Sequence, residues 1–259
     1  MKLVLPIYCL LFCLCSVSAG EPDAREIMEK ERARHSLNDE DRMLEMELID
    51  RRGKVKKRKV HMMNMTTKEN MERLMLVFLE PRDVEGTGVL TWEQDKREDD
   101  QWLYLPSTKK EKRIAGGGKK NSFMGTDFAY EDLSIEKLDL HKYTYLESKP
   151  LNGKECYLIE AELVDDKDKK NSGYSKRVLW VRKDLHFTMH IDYYDKKGKL
   201  VKTLDNSEPE QVDGDVWRSE VITMKNLKRD HQTKMIVLER KFNQDLDESN
   251  FTIRKLKSY

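Results

Sequence analysis

The 259-residue sequence predicts a mainly β fold built from antiparallel, hairpin-connected strands, and three observations point there. Apolar residues recur with a period of two through most of the chain, as they do along half-buried strands. Gly, Asp, Asn and Pro punctuate the short runs at turn positions. A long helical pattern is visible only near the start. Roughly ten or more strands joined this way describe a sandwich, an open barrel or a closed barrel.

Residues 1–19 place Lys2 ahead of an apolar run and end in Val17-Ser18-Ala19, the small-x-small pattern of a cleavage site. They read as a secretory signal peptide cut near Ala19, its apolar part being too short for a typical membrane span. Cys13 follows Phe12 and Cys15 follows Leu14, so no lipid anchor is expected. Neither repeat nor linker interrupts 20–259, which is taken as one domain. Cleavage removes Cys9, Cys13 and Cys15 and leaves Cys156 alone, so a hydrophobic core rather than a disulfide framework must hold the fold.

Residues 21–34 read as an amphipathic helix with Pro22 in its first turn and Ile27 and Met28 on its apolar face. From Asp39 the period becomes two: Leu44, Met46 and Leu48 alternate with Glu45 and Glu47. Residues 51–54 form a turn, and 55–64 run back as the hairpin partner. Further strands are predicted over 74–79, 88–92, 101–105, 112–115, 143–146, 156–163, 177–182, 187–194, 200–206, 216–224 and 234–242. Gly116, Gly117 and Gly118 open a loop, and 127–133 (DFAYEDL) then resembles a short helix capped by Thr126 or Asp127. Inserted between hairpins, such a helix must lie across the sheet or over its mouth.

Charged residues make up 37% of the chain at a net charge of +1, with the signs interleaved, which argues against a nucleic-acid partner. A Gly-x-Ser-x-Gly elbow, a phosphate loop and a dinucleotide fingerprint are all missing, and Gly86-Thr87-Gly88 reads as a bend opening a strand. His186 and His190, on one face of a strand, would stand about 13 Å apart, too far to share a metal. Neither an enzyme site nor a cofactor or metal is therefore expected. Cys156 reads as a small buried apolar residue, the acidic run 93–100 as a solvated hairpin tip, and the Asn64 and Asn250 glycosylation patterns as chance matches. The basic run Arg51, Arg52, Lys54, Lys56, Lys57, Arg58, Lys59 reads as an edge whose charge blocks further strand pairing, with docking to an acidic partner or anionic head groups as the alternative.

What remains is a surplus of apolar side chains. Trp102-Leu103-Tyr104-Leu105 is apolar on both faces of a strand, Trp92, Trp180 and Trp217 sit on others, and methionines crowd the first third of the chain. Methionine adapts to varied apolar ligands, so a ligand cavity under the predicted cover becomes a reasonable expectation.

Several ordered blocks carry a resemblance. They are 81–92 (PRDVEGTGVLTW), 101–106 (QWLYLP), 112–115 (KRIA), 122–128 (SFMGTDF), 130–133 (YEDL), 173–177 (GYSKR) and 193–198 (YYDKKG). Together they resemble the outer-membrane lipoprotein-sorting (LolA-like) proteins over nearly the whole mature chain. The resemblance implies an incomplete, strongly curved antiparallel β-barrel, a half-barrel with an N-terminal helix and a short lid helix on its concave side. It implies a periplasmic, non-enzymatic carrier of the acyl chains of lipids or lipoproteins, passing them between an inner-membrane transporter and an outer-membrane acceptor. The alternative is an accessory subunit that docks a lipid-exporting transporter. In the best-understood carriers an arginine helps to hold the lid shut. Alternation within the strands, joined to this resemblance, nominates Met46, Leu48, Trp92, Trp102, Tyr104, Phe123, Met124, Phe128, Tyr130 and Trp180 as lining residues.

Overall fold

The computed structural model describes residues 20–134 and 137–259; the signal peptide expected over 1–19 lies outside them. The strands are β1 (Asp39–Ile49), β2 (Val55–Thr66), β3 (Glu72–Glu80), β4 (Gly88–Trp92), β5 (Asp100–Leu105), β6 (Lys110–Ile114), β7 (His141–Leu151), β8 (Lys154–Leu163), β9 (Tyr174–Arg182), β10 (Phe187–Asp195), β11 (Leu200–Asn206), β12 (Glu210–Asp213), β13 (Val216–Arg218), β14 (Val221–Asn226) and β15 (His231–Phe242). Thirteen of them form one antiparallel sheet in the order β6-β5-β4-β3-β2-β1-β15-β14-β11-β10-β9-β8-β7, while β12 and β13 pair separately. The sheet is mainly hairpins, and the β1–β15 pairing joins its early and late halves.

The sheet is open and strongly curved. Nine strand spacings separate β5 from β9 in the order above, on the order of 43 Å if the sheet were flat. Yet the Tyr130 carbonyl accepts a hydrogen bond from Gln101 on β5, and two residues later Asp132 accepts one from Tyr174 on β9. One short segment reaches both wings because the sheet curls around it. Its ends remain unclosed: β6 (KEKRI) presents a charged edge, and β7 carries a bulge between Tyr145 and Glu147, and Pro150.

Alternation along the strands sorts the side chains onto two faces. Leu44, Met46 and Leu48 of β1, Val60 of β2, Leu74, Leu76 and Phe78 of β3, and Val89 of β4 share the inner face. Met63, Met65, Met75, Val77 and Leu90, from the intervening positions, share the outer one. The inner face continues through Ile191 to Leu179, Val181, Ile159 and Ala161, which are covered by α1 (Ala24–Ala33). Asp23 caps that helix by accepting the N–H groups of Arg25 and Glu26, and Ala24, Ile27 and Met28 form its buried stripe. The outer face of β2–β5 is covered by the C-terminal turn Glu248–Phe251 and α3 (Ile253–Leu256), elements the sequence pattern does not announce. A six-residue helix, α2 (Asp166–Asn171), links β8 to β9 and is likewise new. Among the described residues no helix is long and apolar enough to cross a membrane.

Three local expectations are corrected and a fourth is refined. The helix expected over 127–133 is confined to one 3-10 turn, Glu131–Leu133: Asp127 bonds to β15 instead of capping, and Asp132 accepts the Ala129 N–H. The basic run lies along an edge on one side only: residues 55–59 pair with β1, and the register to β3 starts at Lys59, so its charge still flanks an unpaired margin; Lys57 pairs with Glu45 and Glu47. The acidic run is not all solvated: Glu93, Asp99 and Asp100 are buried and bind cations, among them Arg32, Lys137 and Arg113 respectively. His186 lies in the turn before β10 at φ +49°, off the strand that holds His190. His190 sits between Asp192 and Asp205, which raise its pKa to about 9 against the opposing effect of burial. Cys156 is fully buried as a free thiol.

Candidate functional site

The inner face of β1–β5 is covered by a loop, residues 116–134, rather than by a regular element. Its apex is a tight turn in which Met124 (φ +46°) and Gly125 (φ +77°) both adopt the left-handed conformation, closed by the Thr126 N–H donating to the Phe123 carbonyl. The turn thrusts Phe123 onto the sheet, where it stacks on Phe78 at 5.3 Å and meets Tyr130 edge-on at 5.6 Å. Phe123, Phe128 and Tyr130 are all buried against Leu44, Met46, Leu48 and Leu76. The loop thus fills the concavity with its own aromatic side chains.

Polar bonds tie this lid down from several strands. Arg58 of β2 donates to the Met124 carbonyl at 2.8 Å and lies over the Phe78 ring. Burial lowers the Arg58 pKa. Asp127 accepts from Thr233 Oγ1 at 2.8 Å and contacts His231 at 2.6 Å, both on β15. Gln101 Nε2 donates to the Tyr130 carbonyl at 3.0 Å. Glu131 accepts from Ser172 Oγ and the Gly173 N–H, and burial raises its pKa. Asp132 accepts from the Tyr174 hydroxyl and pairs with Lys202 at 3.2 Å. Burial, and secondarily the Asp132 charge, hold the Tyr174 phenol well above its usual pKa, so it stays a donor. Past the lid, Lys137 pairs with Asp99, whose pKa is raised chiefly by burial.

The ten nominated residues do not share one face. Met46, Leu48, Phe123, Met124, Phe128 and Tyr130 come together beneath and within the lid. Trp92, Trp102 and Tyr104 lie on the outer face against Phe251, Ile253 and Leu256, and Trp92 donates to the Phe251 carbonyl. Trp180 is also outward, since its neighbour Leu179 faces α1; it meets His190 edge-on and lies 3.4 Å from Asp192. The physical reason is parity: on β5 the inner positions fall to Leu103 and Leu105, so the larger rings at 102 and 104 point out. Arg58 and the lid's polar anchors were not nominated. The signal for Arg58 was its phase, because it shares the alternation of Val60 and Met62 within an otherwise basic run.

Beside the trailing end of the lid lies a cavity of about 150 Å³ bordered by Asp99, Lys119, Glu131, Lys137, His141 and Arg177. Its charged lining does not suit an acyl chain. Among the described residues no group of three or more His, Cys, Asp or Glu side chains is placed to hold a metal ion.

The curled, open antiparallel sheet is an architecture that this chain shares with known structures. The pattern of a family described as uncharacterized protein matches residues 70–258. No curated protein sequence matches the chain. Among solved structures, an outer-membrane lipoprotein-sorting protein domain from Vibrio parahaemolyticus is 31% identical, with a TM-score of 0.85 over 90% of this chain and 98% of that one. A DUF1329 family protein from Desulfovibrio piger is 29% identical, with a TM-score of 0.83 over 90% and 97% of the two chains. A LolA superfamily protein from Nitrosomonas europaea shares the fold at 17% identity, with a TM-score of 0.71 over 90% and 99%. The chain belongs to the outer-membrane lipoprotein-sorting protein family and has the LolA-like fold.

Proposed function

We propose that the protein is a periplasmic, non-enzymatic carrier that takes up acyl chains of lipids or lipoproteins between the inner face and the lid and passes them from one membrane to another. The observation that carries this reading is the cover itself. The most apolar part of the concavity is closed by an irregular loop whose fixings are largely polar and side-chain based, where a permanent core would be closed by a packed helix or strand. In the occupied state an acyl chain replaces Phe123, Phe128 and Tyr130 against Met46, Leu48 and Phe78.

The magnitudes are compatible with exchange. Freeing three aromatic side chains costs about 2 kcal/mol each, and burying roughly eight methylenes at about 0.8 kcal/mol apiece recovers it. No covalent step is required, because a cargo moving between two apolar surroundings stays sheltered throughout. The description of the Vibrio relative as lipoprotein-sorting supports the same cargo class.

The test is organic extraction of protein purified from its native host, followed by mass spectrometry. Stoichiometric lipid or lipoprotein is the expected result; reproducibly empty protein that still binds a membrane partner would favour an accessory subunit instead. In a second test Phe128→Asp should leave a folded protein that no longer takes up lipid, and unchanged uptake would remove the lid from the mechanism.

A further inference from the structure

Three hairpins stand side by side in the middle of the sheet, β2–β1, β15–β14 and β11–β10, and all three turn at the same end. The register fixes this: Ile49 at the end of β1 faces both Val55 and Gln232, and Asn226 at the end of β14 faces both His231 and Lys202. Their turns read Arg-Arg-Gly-Lys at 51–54, Leu-Lys-Arg at 227–229 and Lys-Lys-Gly-Lys at 196–199, and these residues are exposed. Five strand spacings make the row about 24 Å long.

Two of the three acids at this end are occupied with building the turns, and the third, Asp230, is exposed beside Lys228 and Arg229, against eight Lys and Arg in the three turns. Asp50 accepts the N–H groups of Arg52 and Lys54, and Asp195 those of Lys197 and Lys199 while also pairing with Lys228. The surplus is therefore positive, in a chain whose net charge is only +1. The compensating acids gather at the far end of the same strands, in segments 207–220 and 243–248, where Glu208, Glu210, Asp213, Asp245 and Glu248 lie. Charge is segregated along the strand direction.

A second observation is independent of charge. Val55 and Leu227, two of the few large apolar side chains left exposed (43% and 51%), stand in this same basic row. Apolar side chains at the tips of basic hairpins match a surface that is anionic outside and apolar just beneath. The lid apex sits toward this end as well, because Arg58 on β2 holds Met124 four residues from the Lys54 turn.

We propose that the row of turns 51–56, 196–199 and 227–229 is a docking surface for an anionic lipid bilayer, with Val55 and Leu227 entering the head-group region. The surface stands apart from the cavity, so protein without cargo docks equally well. Docking brings the lid apex toward the membrane and points the acidic end away from it.

The experiment is co-sedimentation of the purified full chain with vesicles of phosphatidylcholine alone or with about one-third phosphatidylglycerol, at low and high salt. Residues 1–19 are common to all variants, so whatever they add cancels. Binding should need phosphatidylglycerol and weaken as salt rises. The combined Arg51→Glu, Arg52→Glu, Lys54→Glu and Lys56→Glu variant should lose at least on the order of 100-fold in partitioning, with its melting temperature kept. Val55→Ser with Leu227→Ser should lose roughly tenfold with the salt slope unchanged. Equal binding of the wild type to neutral and anionic vesicles, which needs no variant, would overturn the proposal. So would undiminished binding of the four-glutamate variant. Failure on both vesicles, with capture by an acidic membrane protein, would replace the bilayer by a protein partner and overturn it too.

Discussion

Strands β2–β5 are covered on both faces, and the two covers differ in where their polar ties lie. Outside, the C-terminal segment packs Phe251 and Leu256 onto Met63, Met75, Val77 and Leu90, with a hydrogen bond from Trp92 to the Phe251 carbonyl and ties at its margins from Lys257 to Glu111 and from Tyr259 to His61. Inside, the lid packs Phe123, Phe128 and Tyr130 onto Leu74, Leu76 and Phe78, but Arg58, Gln101, Thr233, Tyr174 and Lys202 hold it as well. A cover held by burial opens only when the core opens. One held by polar bonds that water can replace opens at lower cost, because a hydrogen bond contributes only about 1 kcal/mol net. The same sheet should then have one side that opens only with the core and one that opens at lower cost, which the following tests separate.

The largest expected effect tests the side that opens only with the core. Phe251→Ala should destabilise the whole fold by about 3–5 kcal/mol, whereas Phe123→Ala should cost about 1–2 kcal/mol in denaturant unfolding because the lid absorbs the loss locally. Equal costs would make the lid ordinary core and erase the distinction. Next, Arg58→Met should remove about 1–2 kcal/mol of lid closure, read as roughly tenfold faster hydrogen exchange at 122–130 with exchange at 251–256 unchanged. Exchange rising at both sites would mean that Arg58 holds the sheet rather than the lid.

pH should move the two covers in opposite directions. The lid anchor Glu131 and the neighbouring Asp99 have raised pKa values, both chiefly from burial. The folded state therefore binds extra protons, and closure is strongest below the ordinary carboxylate range and weakens as pH rises through the raised values. Asp247, which caps the C-terminal turn by accepting the Ser249 N–H, has a lowered pKa. Its contribution is present above the ordinary aspartate range and lost as pH falls through the lowered value. Exchange protection, corrected for intrinsic rates, should show this crossing. The smallest effect is Gly125→Ala: a Cβ at φ +77° costs about 1 kcal/mol in the lid apex and should loosen 122–128 alone.

Much of the fold was legible because alternation and turn chemistry are local signals. The hairpin of β1 and β2, the N-terminal helix and the glycine-led start of the lid loop all follow from residues near one another in the chain. The basic run on β2 was legible only in part, because charge shows an open margin but not how far β3 extends, and β3 pairs with β2 only from Lys59 onward. The lid was legible as an apolar interruption, but not as a single 3-10 turn, since what deprives Asp127 of its capping role is Thr233 and His231. Of the ten nominated lining residues, the six that gather are those of β1 and the lid; the tryptophans mislead because bulk and apolarity carry no information about which face is in. Leu103, the inward residue between Trp102 and Tyr104, was hidden by its larger neighbours.

The two open ends of the sheet carry a consequence for the molecule at high concentration. β6 and β7 end the sheet and do not pair with each other, so each has a strand neighbour on one side only, the arrangement from which fibrils can grow. The Lys-Glu-Lys-Arg margin of β6 and the bulge and proline of β7 act as gatekeepers, letting the barrel stay unfinished without recruiting another copy to finish it.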